Sequence, residues 1–183
     1  MADDTLISNL IQHLSKRLNL IEKRHAYLSF LVKKRFANEK LLQLETMHII
    51  SQMSEVEDYL PEKLYGFESK EKCDFWFKLK DGAEFWIEIK MRPTNYRKPG
   101  HAKAITNGVA QVVEDIQRLK KITDRNTRRF AMFAFYPIYA ESYRTFNEIH
   151  LKRISQEAGK NIENPMITVN VREADFNLYV VEV

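Results

Sequence analysis

Asp74 and, after thirteen intervening residues, Glu88-Ile89-Lys90 are the residues whose types and spacing promise chemistry in this chain. They lie in the segment KCDFWFKLKDGAEFWIEIKMR, residues 72–92, where Asp81-Gly82 separates two aromatic-rich runs and predicts a β-hairpin. Loop length decides which side chains share a face. A two-residue loop would set Lys80 against Ala83 and Phe75 against Glu88, mixing core with charge along the ladder. A three-residue loop, Lys80-Asp81-Gly82 with the glycine left-handed in a G1 bulge, sets Phe77 against Phe85 and Phe75 against Ile87. One face is then apolar. The other carries Lys78 with Glu84, Trp76 with Trp86 and Asp74 with Glu88, and Lys90 follows two residues further on. Carboxylates opposed across a ladder repel each other. A divalent cation between them removes the penalty, and paired hard oxygens on a rigid sheet suit Mg²⁺, with Mn²⁺ as its substitute. Lys90 would then hold a phosphate oxygen or orient an attacking water. The same charges also admit a plainer reading, a solvated and salt-bridged sheet face.

Asp74 followed by Glu88-Ile89-Lys90, on consecutive strands with an amphipathic helix after them, resembles the PD-(D/E)XK nuclease superfamily. The resemblance covers residues 40–136, and Cys73 stands where the named pattern has proline. It implies an α/β fold of restriction-endonuclease-like type, a mixed β-sheet flanked by helices, here with a helical N-terminal extension. By the same resemblance Asp74 and Glu88 are metal ligands, the Ile89 backbone carbonyl is a third, and Lys90 assists the nucleophilic water. Gln111 on the following helix would lie near the metal, with Asp115 behind it. Each of these two also reads as an ordinary helix-edge residue. A glutamate from the helix preceding the sheet often joins such sites, and Glu45, mid-helix, suits that role better than Glu39, which follows Asn38 and fits a first helical turn. The implied activity is metal-dependent hydrolysis of phosphodiester bonds, with DNA the expected substrate. Two other readings stay open: a non-catalytic nucleic-acid-binding or protein-assembly module that keeps the fold, with Trp76 and Trp86 forming a packed or partner-facing patch, and an enzyme acting on another phosphate ester.

The elements that must position these residues are legible from periodicity. Ile105, Val109, Val112, Ile116 and Leu119 predict an amphipathic helix over 102–122 that packs on the sheet. Beside this stripe run Ala104, Gly108, Gln111, Asp115 and Arg118, whose small members permit close backbone approach. Residues 128–136, RRFAMFAFY, read as a buried strand ending at Pro137, and the strand–helix–strand order favours parallel pairing with the hairpin. A helix over 141–158 closed by Gly159 and a strand pair over 166–171 and 176–183 complete the chain. Upstream, Leu6, Leu10, Leu14, Leu18 and Ile21 begin a helical stripe that continues to Ile50, with breaks near His25 and Asn38. Residues 1–55 are expected to be mainly helical, and 64–183 to form the sheet and its flanking helices, within a single domain.

Composition agrees. A chain of 183 residues, 44% hydrophobic, is long enough for one well-buried core and short for two. The single cysteine excludes an internal disulfide, and the start lacks the pattern of a secretory signal, so a cytoplasmic protein is expected. No apolar run approaches the ~20 residues that span a bilayer, and no membrane partner is expected. His13, His25, His48, His101 and His150 show no zinc-ligand spacing, and five glycines leave little room for a phosphate-binding loop. Net charge is only +4, but it is unevenly placed. Arg92, Arg97, Lys98 and Lys103 form an acid-free block after the hairpin and are the expected nucleic-acid contacts, with Tyr96 able to stack on a base. Arg118, Lys120, Lys121, Arg125, Arg128 and Arg129 form a second block, readable as phosphate-contacting or as solubilising. A homodimer is compatible with all of this.

Overall fold

The computed structural model describes residues 2–66, 70–94, 104–171 and 174–183. Three helices come first: α1 (Ala2–His25), α2 (Tyr27–Lys34) and α3 (Glu39–Ile50). The breaks fall at Ala26 and at Arg35, both with left-handed φ (49° and 54°), so the chain turns without glycine or proline. Strands β1 (Val56–Leu64), β2 (Lys72–Leu79) and β3 (Glu84–Pro93) follow, then α4 (Ala104–Lys120) and β4 (Thr127–Tyr136). A helical stretch then runs from Ala140 through α5 (Tyr143–Thr145) and a π-helical segment (Phe146–Leu151) to α6 (Lys152–Ala158), ending at left-handed Gly159. Strands β5 (Ile167–Val169) and β6 (Phe176–Glu182) close the chain.

The six strands form one mixed sheet in the order β1-β2-β3-β4-β6-β5. β3 and β4 pair in parallel and every other neighbouring pair is antiparallel, as the crossover through α4 requires. The β2–β3 hairpin takes the register set by the three-residue loop: Phe75 faces Ile87, Trp76 faces Trp86 and Phe77 faces Phe85. The Leu79 amide donates to the Ala83 carbonyl at 2.8 Å, and Gly82 sits at φ 90°, which a side chain would strain. The chain therefore forms an α/β sandwich of three layers. Phe75, Phe77, Phe85, Ile87, Ile89 and Met91 bury one sheet face against α1, α2 and α3. Trp76, Trp86, Ala131 and Phe133 bury the other against α4 and α6. Phe77 stacks on Phe85 with centroids 4.5 Å apart, a cross-strand pair that contributes roughly 0.5–1.5 kcal/mol beyond area burial.

β1 is a strand the sequence did not announce. Its residues are mostly exposed, it contains Pro61, and it is an edge strand of the sheet, where proline and charge are tolerated because one side has no ladder partner. No helix among the described residues is long and apolar enough to cross a membrane.

α4 lies close against the sheet at Gly108. A Cβ there would lie 2.8 Å from Phe135 Cε1 and 3.1 Å from Arg92 Cβ. Alanine normally favours a helix over glycine by about 1 kcal/mol, but this clash with a buried ring is larger. Gly108→Ala is expected to lower stability by about 1–3 kcal/mol in urea titration. Gly66→Ala, where nothing lies within 4 Å, should stay within about 0.5 kcal/mol of the parent. Equal midpoints for the two variants would refute the close approach.

Candidate active site

The site is built where β2 leaves β3. Their ladder stops at Phe75–Ile87, although β2 continues to pair with β1 as far as Lys72. Alternation also breaks there, since Cys73 is buried on the Trp76 side of the sheet rather than beside Phe75. Across from Asp74 on β1, Glu62 adopts φ 56°, a left-handed conformation that costs about 1–3 kcal/mol. Lys40 and Lys72 hold its carboxylate at 2.9 and 3.4 Å.

The divergence leaves main-chain groups of β3 without ladder partners. The Asp74 carboxylate fills one gap, its Oδ2 accepting the Ile89 amide at 2.8 Å. In a strand the carbonyl of a residue points to the same side as its amide, so the Ile89 carbonyl also faces this wedge. From α3, buried Gln43 donates to the Asp74 carbonyl at 2.5 Å and is itself held by Lys40 at 2.7 Å. Asp74 is thus fixed by main chain and side chain together.

Glu88 is only 3% exposed. The Tyr65 hydroxyl donates to its Oε1, and Arg118 Nη2 lies 3.4 Å from the same oxygen. Burial, then the charges of Asp115 and Asp74, push the Glu88 carboxyl up to about 8. Asp115, buried on α4, is ion-paired with Arg118 and lies 3.4 Å from Lys90 Nζ. Burial pushes it up to about 6 despite both cations. Lys90 Nζ is 3.9 Å from Glu39 Oε2, while the other Glu39 oxygen binds Arg92 at 2.6 Å. Four carboxylates (Glu39, Asp74, Glu88, Asp115) and three cations (Lys90, Arg92, Arg118) therefore meet between α3, the sheet and α4.

Asp74, Glu88, Ile89 and Lys90 are brought together. Gln111 is one helical turn away from Asp115, exposed, and accepts a hydrogen bond from Arg92 Nε at 2.6 Å; the α4 groups that contact Glu88 and Lys90 are Arg118 and Asp115. Glu45 does not reach the site: it is ion-paired with Arg17 of α1, and Glu39 is the helical carboxylate that arrives. The turn after α2 determines this by setting the phase of α3. Arg92 is engaged by Glu39 and Gln111, and Arg97, Lys98, Lys103, Tyr96 and His101 lie outside the described residues. The second basic block is largely structural, with Arg118 in the site, Arg128 on Glu182 at 2.8 Å and Arg129 on the Ile122 carbonyl at 2.7 Å. Tyr65 and Gln43 are contributors that no spacing signalled, and Arg118, in line with Gln111 and Asp115 on α4, joins them. Trp76 and Trp86 are packed rather than exposed, with Tyr65 stacked on Trp86 and the Lys63 ammonium 3.1 Å from the Trp76 ring centroid.

Among the described residues, no group of three or more His, Cys, Asp or Glu side chains is disposed to hold a metal ion. The smaller set of two carboxylates and a main-chain carbonyl is all hard oxygen, and its two acids repel each other in a buried setting. That chemistry fits Mg²⁺ or Mn²⁺, which fill remaining positions with water and phosphate. No family model, no curated protein and no solved structure matches this chain.

Glu88 and Asp115 have folded-state pKa values above their ordinary 4.5 and 3.8. The folded protein therefore holds extra protons, a stabilisation complete below the ordinary values and lost as pH rises through about 6 for Asp115 and about 8 for Glu88. In chelator, Tm is expected to fall between about pH 5 and about pH 8, and Glu88→Gln should remove the upper part of that fall. A Tm that rises over this interval, or an unchanged profile in the variant, would contradict the buried-acid geometry.

Proposed function

We propose that this protein is a metal-dependent nuclease of the PD-(D/E)XK type that hydrolyses phosphodiester bonds in DNA. The observation that carries the reading is the meeting of Asp74, Glu88 and Lys90 at the point where β2 and β3 part. The order α3-β1-β2-β3-α4-β4, with β3 and β4 parallel, supports a restriction-endonuclease-like core around them. Asp74, Glu88 and the Ile89 carbonyl would hold the Mg²⁺ ion. When bound, such an ion stabilises charge on the phosphate and lowers the pKa of water. Lys90, held between Asp115 and Glu39, orients the attacking water or a phosphate oxygen through its ammonium. Asp115 and Arg118 keep the charge balance of the site, and Tyr65 fixes the Glu88 rotamer.

A second reading is favoured by one observation. Tyr65 and Arg118 already satisfy one Glu88 oxygen, as suits a site retired from catalysis in a nucleic-acid-binding module. The two readings separate in a cleavage assay on linear, circular and single-stranded DNA with Mg²⁺ or Mn²⁺. The nuclease reading expects cleavage that chelator abolishes and that Asp74→Ala, Glu88→Gln and Lys90→Ala each reduce by at least about 10²-fold. Full metal-dependent cleavage by the Asp74 and Lys90 variants would overturn it. Binding without cleavage, equal with and without chelator, would favour the module.

A further inference from the structure

The candidate site is bordered by a surface that its chemistry does not use. From Lys23 to Asn38 the chain carries Lys23, Arg24, Lys33, Lys34 and Arg35 and no acidic residue. α2 sorts this stretch into two sides. Leu28, Leu31 and Val32 are buried against the core, while Phe30 is followed at i+3 and i+4 by Lys33 and Lys34, which places a ring and two ammonium groups together on the outer side. Phe30 is 50% exposed and stacks on Tyr27 with centroids 6.3 Å apart. Phe36, just past the helix, is 58% exposed.

Phe36 is exposed on a firmly held backbone. Its amide donates to the Leu31 carbonyl at 3.1 Å, and its carbonyl accepts the Tyr136 hydroxyl at 2.8 Å. Its neighbour Arg35 donates to the Thr94 carbonyl, immediately beyond β3. Three residues after Phe36 comes Glu39, the partner of Lys90 and Arg92, so the Phe36 and Glu39 Cα atoms are at most about 11 Å apart. An aromatic and basic face thus leads to the edge of the carboxylate cluster.

We infer that the outer face of α2 together with Phe36 is a track for a single strand of nucleic acid. Unpaired bases stack on Phe30 and Phe36, and phosphates are gripped by Lys33 and Lys34. A duplex keeps its base faces stacked internally and offers these rings nothing, so the substrate class is single-stranded DNA or a splayed duplex end. An interfacial membrane helix needs a continuous apolar stripe on its outer side, and the continuous stripe of α2 is turned into the core. The track's role in delivering substrate rests on the nuclease reading above, whereas its binding does not.

The test is fluorescence anisotropy in chelator on the full chain, with a labelled oligonucleotide of about 20 nucleotides, single-stranded or annealed to its complement. The expected result is tighter binding of the single strand, weakened about tenfold by Phe36→Leu with duplex binding unchanged. Lys33→Ala with Lys34→Ala should reduce the slope of log K against log salt by about 1.4. Phe36→Leu keeps an apolar side chain, and circular dichroism verifies its fold. Single-strand affinity unchanged in Phe36→Leu and in the lysine variant would overturn the inference, as would binding to phosphatidylserine vesicles without oligonucleotide binding. Cleavage by the wild type alongside unaltered Phe36→Leu binding would sink the track and spare the nuclease. Phe36-dependent binding with no cleavage in Mg²⁺ or Mn²⁺ would do the reverse.

Discussion

The divergence of β2 from β3 at Asp74 is the constraint from which the rest of the site follows. A strand that leaves its neighbour strips that neighbour of hydrogen-bond partners, and buried amides left unpaired cost about 1–3 kcal/mol each. Asp74 meets the cost with a charged side chain, which binds the Ile89 amide and so stands beside Glu88. Gln43 and Lys40 from α3, and the bent Glu62 of β1, hold the departing strand in place. The opening that creates the site is the same opening that has to be propped.

Electrostatics then sets what the opening can do. Glu88 is buried next to Asp74 and Asp115, and burial and repulsion both favour its protonated form. Arg118 and Tyr65 relieve this only in part. Lys90 is held by carboxylates on either side, from α3 and from α4, which fixes its ammonium in the gap between helix layers. A buried acid pair with an immobilised lysine is an arrangement in which a hard cation and a phosphate would each relieve strain already present. A merely solvated sheet face would have left these groups exposed, and Glu88 and Asp115 are not.

The hairpin and its register were legible because period-two alternation and the Asp-Gly turn are local signals, and they converge on one loop length. The parallel return of β4 followed from the crossover helix. β1 was not legible: Pro61 and four acids from Glu55 to Glu62 argue against a strand, and only its edge position permits one. Glu39 rather than Glu45 reaches the site because of the left-handed turn at Arg35, a backbone event without a glycine to mark it. Arg118 read both as the end of the Gln111 and Asp115 stripe and as one charge in a basic run, and its reach across to Glu88 was not legible because it depends on how closely α4 lies on the sheet. Tyr65 had no signal, because a residue after an edge strand carries no periodicity.

The central claim is that the wedge between β2 and β3 is a cation site made by Asp74 and Glu88. Isothermal calorimetry with Mg²⁺ and Mn²⁺, on the parent protein and on Asp74→Ala, tests it most directly, with circular dichroism verifying that both are folded. The account predicts binding to the parent that the substitution abolishes. Folded parent protein that binds neither ion, or an Asp74→Ala variant that binds them as tightly, would contradict it.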